Sequence, residues 1–143
     1  MATIETSWDG YRWFIERLFD RDATRPHEKM VITTLRELGS TFIDKRSRGT
    51  VSGKSLFVDV GAHVGMYTVR LARYYDTIIA VEPDPENIRI LEKNLALNGL
   101  LENFYEIKVL PVACGESDGE AYFKCQQVGG HIVSKAKGGK DVI

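Results

Sequence analysis

The chain of 143 residues is poor in the residues that staple a fold or hold a metal. Its two cysteines, Cys114 and Cys125, do not form a CxxC pair, and His27, His63 and His131 are scattered. No zinc-ligand spacing results, so no metal is expected. Two isolated thiols read as free cysteines in a reducing compartment. No apolar run approaches the ~20 residues that cross a bilayer. The start, MATIETSWDGYRW, lacks a basic stretch followed by an apolar one. A cytoplasmic protein with no membrane partner is expected. A charge excess is missing too: the formal net charge is -1. No bulk field draws such a chain to nucleic acid, which therefore gains no support as a partner. Two phosphate-binding fingerprints are also missing, GxGxxG and GxxxxGK[ST].

What remains is ordinary globular material, 43% apolar and 27% charged. The length suits one domain with a core that needs no staples. Two helices are expected in residues 1–54. In WDGYRWFIERLF the residues Trp8, Tyr11, Phe14, Ile15 and Leu18 recur at helical spacing. Asp22 to Pro26 breaks the pattern, since proline disfavours helix in the residue before it. A second helix starts near His27, with Met30, Ile32, Leu35, Leu38, Phe42 and Ile43 as a broad apolar face. Arg46 to Ser55 reads as a basic loop.

From Ser55 the pattern alternates between strand and helix. SLFVDV (55–60) reads as a strand buried on both faces. VGMYTVRLARYY carries apolar residues at helical spacing. TIIAVE (77–82) is a second buried strand. PENIRILEKNLALNG is a helix with an Ile88, Leu91, Leu95 stripe, stopped by Asn98-Gly99. FYEIKVLPVA (104–113) is a third strand, and GEAYFKC (119–125) a fourth, more exposed one. Strands joined by such helices imply right-handed βαβ units and a parallel sheet. Residues 55–125 therefore form a Rossmann-like α/β domain, and the Gly- and Lys-rich stretch 126–143 a flexible tail.

In an open α/β sheet the ligand lies at the carboxyl ends of the strands. Asp59 and Gly61 fall at that edge. Gly61 permits torsions that a Cβ would forbid. Gly65 lets the next helix pack closely, or a ligand approach the backbone. Amides at the helix start favour an anion or carboxylate. The second strand ends in Glu82, 23 positions after Asp59. A carboxylate there is the expected acceptor for two ribose hydroxyls. The turn GAHVG has no glycine at position 63 and makes a poor pyrophosphate cradle. A nucleoside cofactor without phosphates, S-adenosylmethionine, fits better.

FVDVGAHVGMYTVRLAR, IIAVEPDPENIRILEKNLALNG and VLPVACGESDGEAYF resemble, in order and spacing, the FkbM-type family of class I S-adenosylmethionine-dependent methyltransferases. The likeness covers about Leu56 to Phe123. It implies a doubly wound, mainly parallel sheet and methylation of a small-molecule or sugar hydroxyl. It implies that Asp59, Gly61, Ala62 and Gly65 form the turn under the methionine part of the cofactor. Glu82 would hold the ribose, Pro83 and Asp84 would shape the adenine side, and Ala113 would lie near the adenine. Methyl transfer would occur beside Tyr67 and His63, where the family often has Asn at the histidine position.

The family continues with a strand patterned like K-I-D-V-E-G, which does not appear before Ile143. The resemblance therefore implies an incomplete class I fold whose first strand, 56–60, has a bare edge. A truncated or split product, a half that pairs with itself or with a partner chain, and a compact variant whose tail fills the gap are the three expectations. His63 reads either as a general base or as a residue that orients the turn. Trp8, Tyr11, Trp13 and Phe14 read either as a substrate lid or as packing. The competing functions are a non-catalytic nucleoside-binding half-domain and an NAD-dependent oxidoreductase, the latter opposed by the missing GxGxxG.

Overall fold

The computed structural model describes residues 2–16, 23–24, 28–101, 105–116, 118–120, 122–124, 131–133 and 141–142. The expectations placed on Leu18, on Pro26, on Phe104 and on Cys125 lie outside them, as does most of the stretch 126–143.

The first helix expected from the sequence is a β-hairpin instead. Strands β1 (Thr3–Thr6) and β2 (Arg12–Ile15) pair antiparallel, Thr3 opposite Ile15 and Thr6 opposite Arg12. The turn closes through Ser7 N–H to the Tyr11 carbonyl at 2.9 Å, with Gly10 at φ +86°. Trp8, Tyr11, Phe14 and Ile15 fit a helical period. Trp13 and Ile15 fit a strand period as well, and both are buried. Tertiary partners decide between the two periods. The β2 edge facing away from β1 is met by two asparagines of a later helix. Phe14 N–H donates to Asn94 Oδ1 at 2.7 Å. Asn98 accepts from Arg12 N–H at 2.9 Å and donates to the Arg12 carbonyl at 2.8 Å. The Asn98 side chain thus acts as one residue of a neighbouring strand, and a helix could not make these bonds.

The expected second helix exists as α1 (Lys29–Ser47). Its face is narrower than the sequence suggests. Ile32 and Gly39 are buried, while Met30, Val31 and Leu38 are exposed. Gly39 is required for packing: a Cβ there would stand 2.3 Å from the Tyr74 carbonyl oxygen.

The central sheet holds β3 (Leu56–Val60), β4 (Thr77–Val81) and β5 (Glu106–Leu110), all parallel, in the order β3-β4-β5. Asp59 is opposite Ala80, which is opposite Val109. Between the strands run α2 (Met66–Leu71) and α3 (Pro85–Leu97). Ile78 and Ala80 of the sheet, Val69 and Leu71 of α2, and Ile90, Leu91 and Leu95 of α3 form one core with Trp13 and Ile15. The hairpin is therefore a wall of the same core. On the opposite face Leu56, Val58, Val60 and Leu110 are exposed. This corrects the reading of β3 as buried on both faces. A short run with apolar residues at both alternating positions is consistent with either arrangement, because it carries no period.

The fourth strand is β6 (Tyr122–Lys124), in a separate antiparallel sheet with β7 (His131–Val133) and β8 (Asp141–Val142), order β7-β6-β8. The stretch expected to be a flexible tail thus contributes two paired strands. Among the described residues no helix is long and apolar enough to cross a membrane, and no group of His, Cys, Asp and Glu could hold a metal.

Candidate functional site

The carboxyl ends of β3, β4 and β5 bring most of the sequence-predicted residues together. The turn after β3 is tied to β4: Gly61 N–H and Ala62 N–H both donate to the Val81 carbonyl, at 2.8 and 3.1 Å. Gly65 N–H closes the turn on the Ala62 carbonyl at 2.8 Å. Gly61 and Gly65 have φ +77° and +91°, torsions that side chains oppose. A Cβ on Gly61 would meet nothing within 4 Å. One on Gly65 would press on Val69 and Leu91. Gly61 therefore borders open space, while Gly65 is a packing glycine that also caps α2.

His63 is the sole non-glycine residue with positive φ, +51°, among the described residues. Its backbone N–H donates to Glu82 Oε2 at 2.8 Å. Left-handed torsions are tolerated best, after Gly, by Asn, Asp and His. The geometry thus gives position 63 a backbone duty that suits His, and also suits the Asn expected there from the family resemblance.

Glu82 is 5% exposed and follows β4 directly. Besides His63, its carboxylate accepts Asp84 N–H and Asn87 Nδ2–H at Oε1, each at 3.0 Å. One side chain therefore links the β3–α2 turn, the β4–α3 turn and the first turns of α3. Asp84 has a different task at this stage. Its Oδ1 accepts Glu86 N–H at 2.9 Å and it caps α3, with Pro85 at the first helical position. Pro83 is half-buried between the two acids. Ala113 lies just beyond β5, at the same sheet edge, and is half-buried.

Asp59 is 7% exposed and faces into the fold. Its Oδ2 accepts both Thr68 N–H at 3.0 Å and Thr68 Oγ1–H at 2.6 Å. Burial pushes its pKa up, the Thr68 bonds pull it down, and the nearby Glu82 charge adds to the rise. The amide of Thr68 in the six-residue α2 is thus taken by the protein itself. Tyr67 is half-buried, and its hydroxyl donates to Glu28, just before α1. Burial, followed by the Glu28 carboxylate, pushes the phenol up to about 12.

Four participants escaped the sequence reading. Asn87 was visible as the N of E-P-x-P-x-N but had no assigned role. Thr68 follows Tyr67 in the quoted motif. Asn94 is fully buried; besides Phe14 it serves the Val64 carbonyl, to which its Nδ2 donates at 2.9 Å. Arg70 is fully buried and ties α2 to Asp9 in the hairpin turn at 2.8 Å. A buried arginine has no signature in a helical run that otherwise reads as apolar. Trp13, read either as lid or as packing, is core.

No protein-family model and no curated protein sequence matches the chain. Solved structures do. A SAM-dependent methyltransferase from Agrobacterium tumefaciens aligns with TM-score 0.60 and 12% identity, over 77% of this chain and 32% of that one. A transferase from Pyrococcus horikoshii aligns with TM-score 0.51 and 16% identity, over 78% and 36%. A tRNA (uracil-54, C5)-methyltransferase from Pyrococcus abyssi, in complex with S-adenosyl-L-homocysteine, aligns with TM-score 0.46 and 17% identity, over 76% and 24%. The chain spans about a third of the length of the first two. The fold is an α/β Rossmann-like fold, shared with the SAM-dependent methyltransferase from Agrobacterium tumefaciens.

One expectation is corrected here. Nucleic acid gained no support as a partner from the net charge, and the family resemblance implied a small-molecule or sugar acceptor. The small-molecule or sugar acceptor is not retained, and nucleic acid is no longer set aside. Net charge reports the bulk field and says nothing of a local binding surface.

Proposed function

We propose that this chain is the cofactor-binding part of an S-adenosylmethionine-dependent methyltransferase, and that Asp59, Gly61, Ala62, His63, Gly65, Tyr67, Glu82, Pro83, Asp84 and Ala113 border the cofactor. The observation that carries the reading is the bond between His63 N–H and Glu82 Oε2. It sets an acid at the end of one parallel strand against the glycine turn at the end of its neighbour, the place where such sheets bind nucleosides.

The residues suit a cofactor of this chemistry. Gly61 leaves open space beside the turn. Position 63 carries a side chain where a pyrophosphate would need bare backbone, which opposes a dinucleotide. Within the superfamily, the V-D-V-G-A-x-x-G-x-Y-T and E-P-x-P-x-N patterns support an FkbM-type affiliation. When bound, the cofactor supplies a methyl group already activated on a sulfonium, so the task left to the protein is alignment. Glu82 orients the nucleoside through hydroxyl contact. Asp59 holds the start of α2 through Thr68 and so keeps the glycine turn in place.

Calorimetry with S-adenosylmethionine, S-adenosylhomocysteine and NAD tests it. Both adenosyl compounds should bind and NAD should not. Absence of heat with both adenosyl compounds would remove the proposal, and heat with NAD alone would favour an oxidoreductase.

A further inference from the structure

The aromatic residues of the hairpin do not share one role. Trp13 is fully buried, and its Nε1–H donates to Ser7 Oγ at 3.0 Å. The Tyr11 hydroxyl donates to the Arg70 carbonyl at 3.3 Å. Phe14 packs against the core, with Lys93 Nζ 4.1 Å from its ring centre. Trp8 keeps its ring in solvent, 48% exposed, in the turn between β1 and β2. That turn is held on both sides of it. Ser7 N–H donates to the Tyr11 carbonyl at 2.9 Å, and Ser7 Oγ–H to Asp9 at 2.6 Å. Asp9 Oδ2 accepts Arg70 Nε at 2.8 Å and Arg36 Nη2 at 2.6 Å. The chain is thus anchored inward at Ser7 and Asp9 and turned outward at Trp8. A ring already held still loses little freedom when a ligand covers it.

A cation stands beside this ring. Lys29 Nζ, at the start of α1, lies 5.3 Å from the Trp8 ring centre. Among the described residues no carboxylate pairs with it. The neighbouring acids are engaged: Asp9 by the two arginines, Glu28 by the Tyr67 hydroxyl. Arg12, opposite Thr6 at the same end of the hairpin, is a second exposed cation. Lys29 follows Glu28 in the chain, and Tyr67 lies two residues after Gly65. Trp8 and Lys29 therefore stand on the flank of the glycine turn. That this flank is the donor side rests on the cofactor reading above.

We infer that Trp8 and Lys29 form a docking site for single-stranded nucleic acid, with one base stacked on the Trp8 ring and an adjacent phosphate held by Lys29. A neutral ligand would use the ring and leave the ammonium idle. An acidic peptide would use the ammonium and leave the ring idle. A nucleotide strand uses both, since every base carries a π-face beside a phosphate. With a net charge of -1 there is no long-range pull, so the contact is local and its salt dependence shallow.

The test uses the whole chain and decauridylate, an unstructured RNA. Trp13 is fully buried, so stacking on Trp8 should quench the accessible part of the tryptophan fluorescence, in step with binding followed by anisotropy of a labelled strand. Trp8→Ala should weaken binding roughly tenfold or more, and Trp8→Phe, which keeps a ring, less than about threefold. Lys29→Ala should weaken it too and reduce the slope of log affinity against log salt by about 0.7. Both side chains are exposed, so thermal melts should match the native protein. No saturable binding at low salt, or an affinity unchanged in Trp8→Ala, would overturn the inference. Heparin, which has charge and no bases, or polyglutamate binding as tightly as decauridylate would overturn it as well. Calorimetry with S-adenosylhomocysteine separates this inference from the cofactor reading. Heat there without decauridylate binding overturns the docking site alone. Decauridylate binding without heat upholds the docking site and overturns its place beside a donor.

Discussion

Asp59 and Thr68 are joined by two hydrogen bonds to one oxygen: the Thr68 amide at 3.0 Å and its hydroxyl at 2.6 Å both reach Asp59 Oδ2. The end of β3 and the first turn of α2 are thereby fastened across the glycine turn they flank. Both residues are buried, so water cannot replace either bond. Thr68→Val removes the hydroxyl and keeps nearly the same volume. It should cost about 1–3 kcal/mol, the range for weakening the satisfaction of a buried polar group. The pH dependence is a second check. Burial already raises the Asp59 pKa, and Thr68 is what restrains the rise. Without the hydroxyl the native state holds the proton more tightly. Stability then falls further as pH rises through the window above the ordinary carboxylate value. The loss should thus be larger at pH 7 than at pH 4. Denaturant midpoints at the two pH values measure it, and a pH-independent loss would argue against a carboxylate partner.

The two glycines of the turn should respond differently to alanine. Gly61→Ala meets only the torsional cost of a left-handed residue, about 1–2 kcal/mol, since its Cβ has open space. Gly65→Ala carries that cost and also drives a Cβ to 3.2 Å from Val69 Cγ2 and 3.3 Å from Leu91 Cγ. Its loss should exceed that of Gly61→Ala by about 1 kcal/mol or more, as overpacking does. Thermal or chemical denaturation of the pair gives the order, and equal losses would mean that α2 and α3 give way at no cost.

These two glycines also show how much of the molecule the sequence made legible. The turn, Asp59 near the end of β3, Glu82 after β4 and the α3 cap are local patterns, and local patterns appear in a sequence. Asp84-Pro85 at a helix start needs only its own neighbours to be recognised. The hairpin did not appear, because its period was ambiguous and its deciding partners, Asn94 and Asn98, lie 80 and 86 positions away. Glu82 was legible as an acid at a sheet edge. The three protein donors on it were not, because two of them are backbone amides, which every sequence contains. The exposed face carrying Val58 and Val60 was hidden for a related reason: apolar residues on both sides of a strand state nothing about which side is covered.

Arg70 gives a prediction about packing of the hairpin. Its guanidinium is fully buried and each of its nitrogens donates: Nε to Asp9 at 2.8 Å, Nη1 to the Met66 carbonyl at 3.1 Å, and Nη2 to the Ala23 carbonyl at 2.6 Å. It also lies 4.5 Å from the Trp13 ring centre. Burial lowers its pKa while Asp9 opposes the shift. Arg70→Met should cost about 3–5 kcal/mol, the range for removing one member of a buried ion pair. Arg89→Ala supplies the contrast. Arg89 pairs with Glu16 and Glu86 at the surface, 37% exposed, where such pairs contribute about 0–1 kcal/mol. Urea unfolding of the two variants should separate them clearly. Similar small losses would show that the Arg70–Asp9 pair adds little to the burial of Trp13 and Ile15 and to the Asn94 and Asn98 bonds that hold the hairpin.

Asp76 predicts the acid limit of the fold. Its Oδ2 accepts Arg46 Nη1 at 2.5 Å, Ser55 N–H at 2.7 Å and Ser55 Oγ–H at 2.7 Å. The end of α1 and the entry to β3 are thereby tied to the residue before β4. Arg46 above all, with the Ser55 donors against a smaller effect of burial, holds this carboxyl well below the usual carboxylate range. Between that depressed value and the ordinary one, the unfolded chain binds more protons than the native state. Stability therefore rises with pH across this window, is fully present above it, and is lost as pH falls through it. Because the pair is partly exposed, salt should weaken the effect. Thermal melts from pH 5 to pH 2.5 should show a steep decline in the native protein and a shallower one in Asp76→Asn, which has no charge left to titrate. Parallel declines in the two proteins would place the acid sensitivity on other carboxylates.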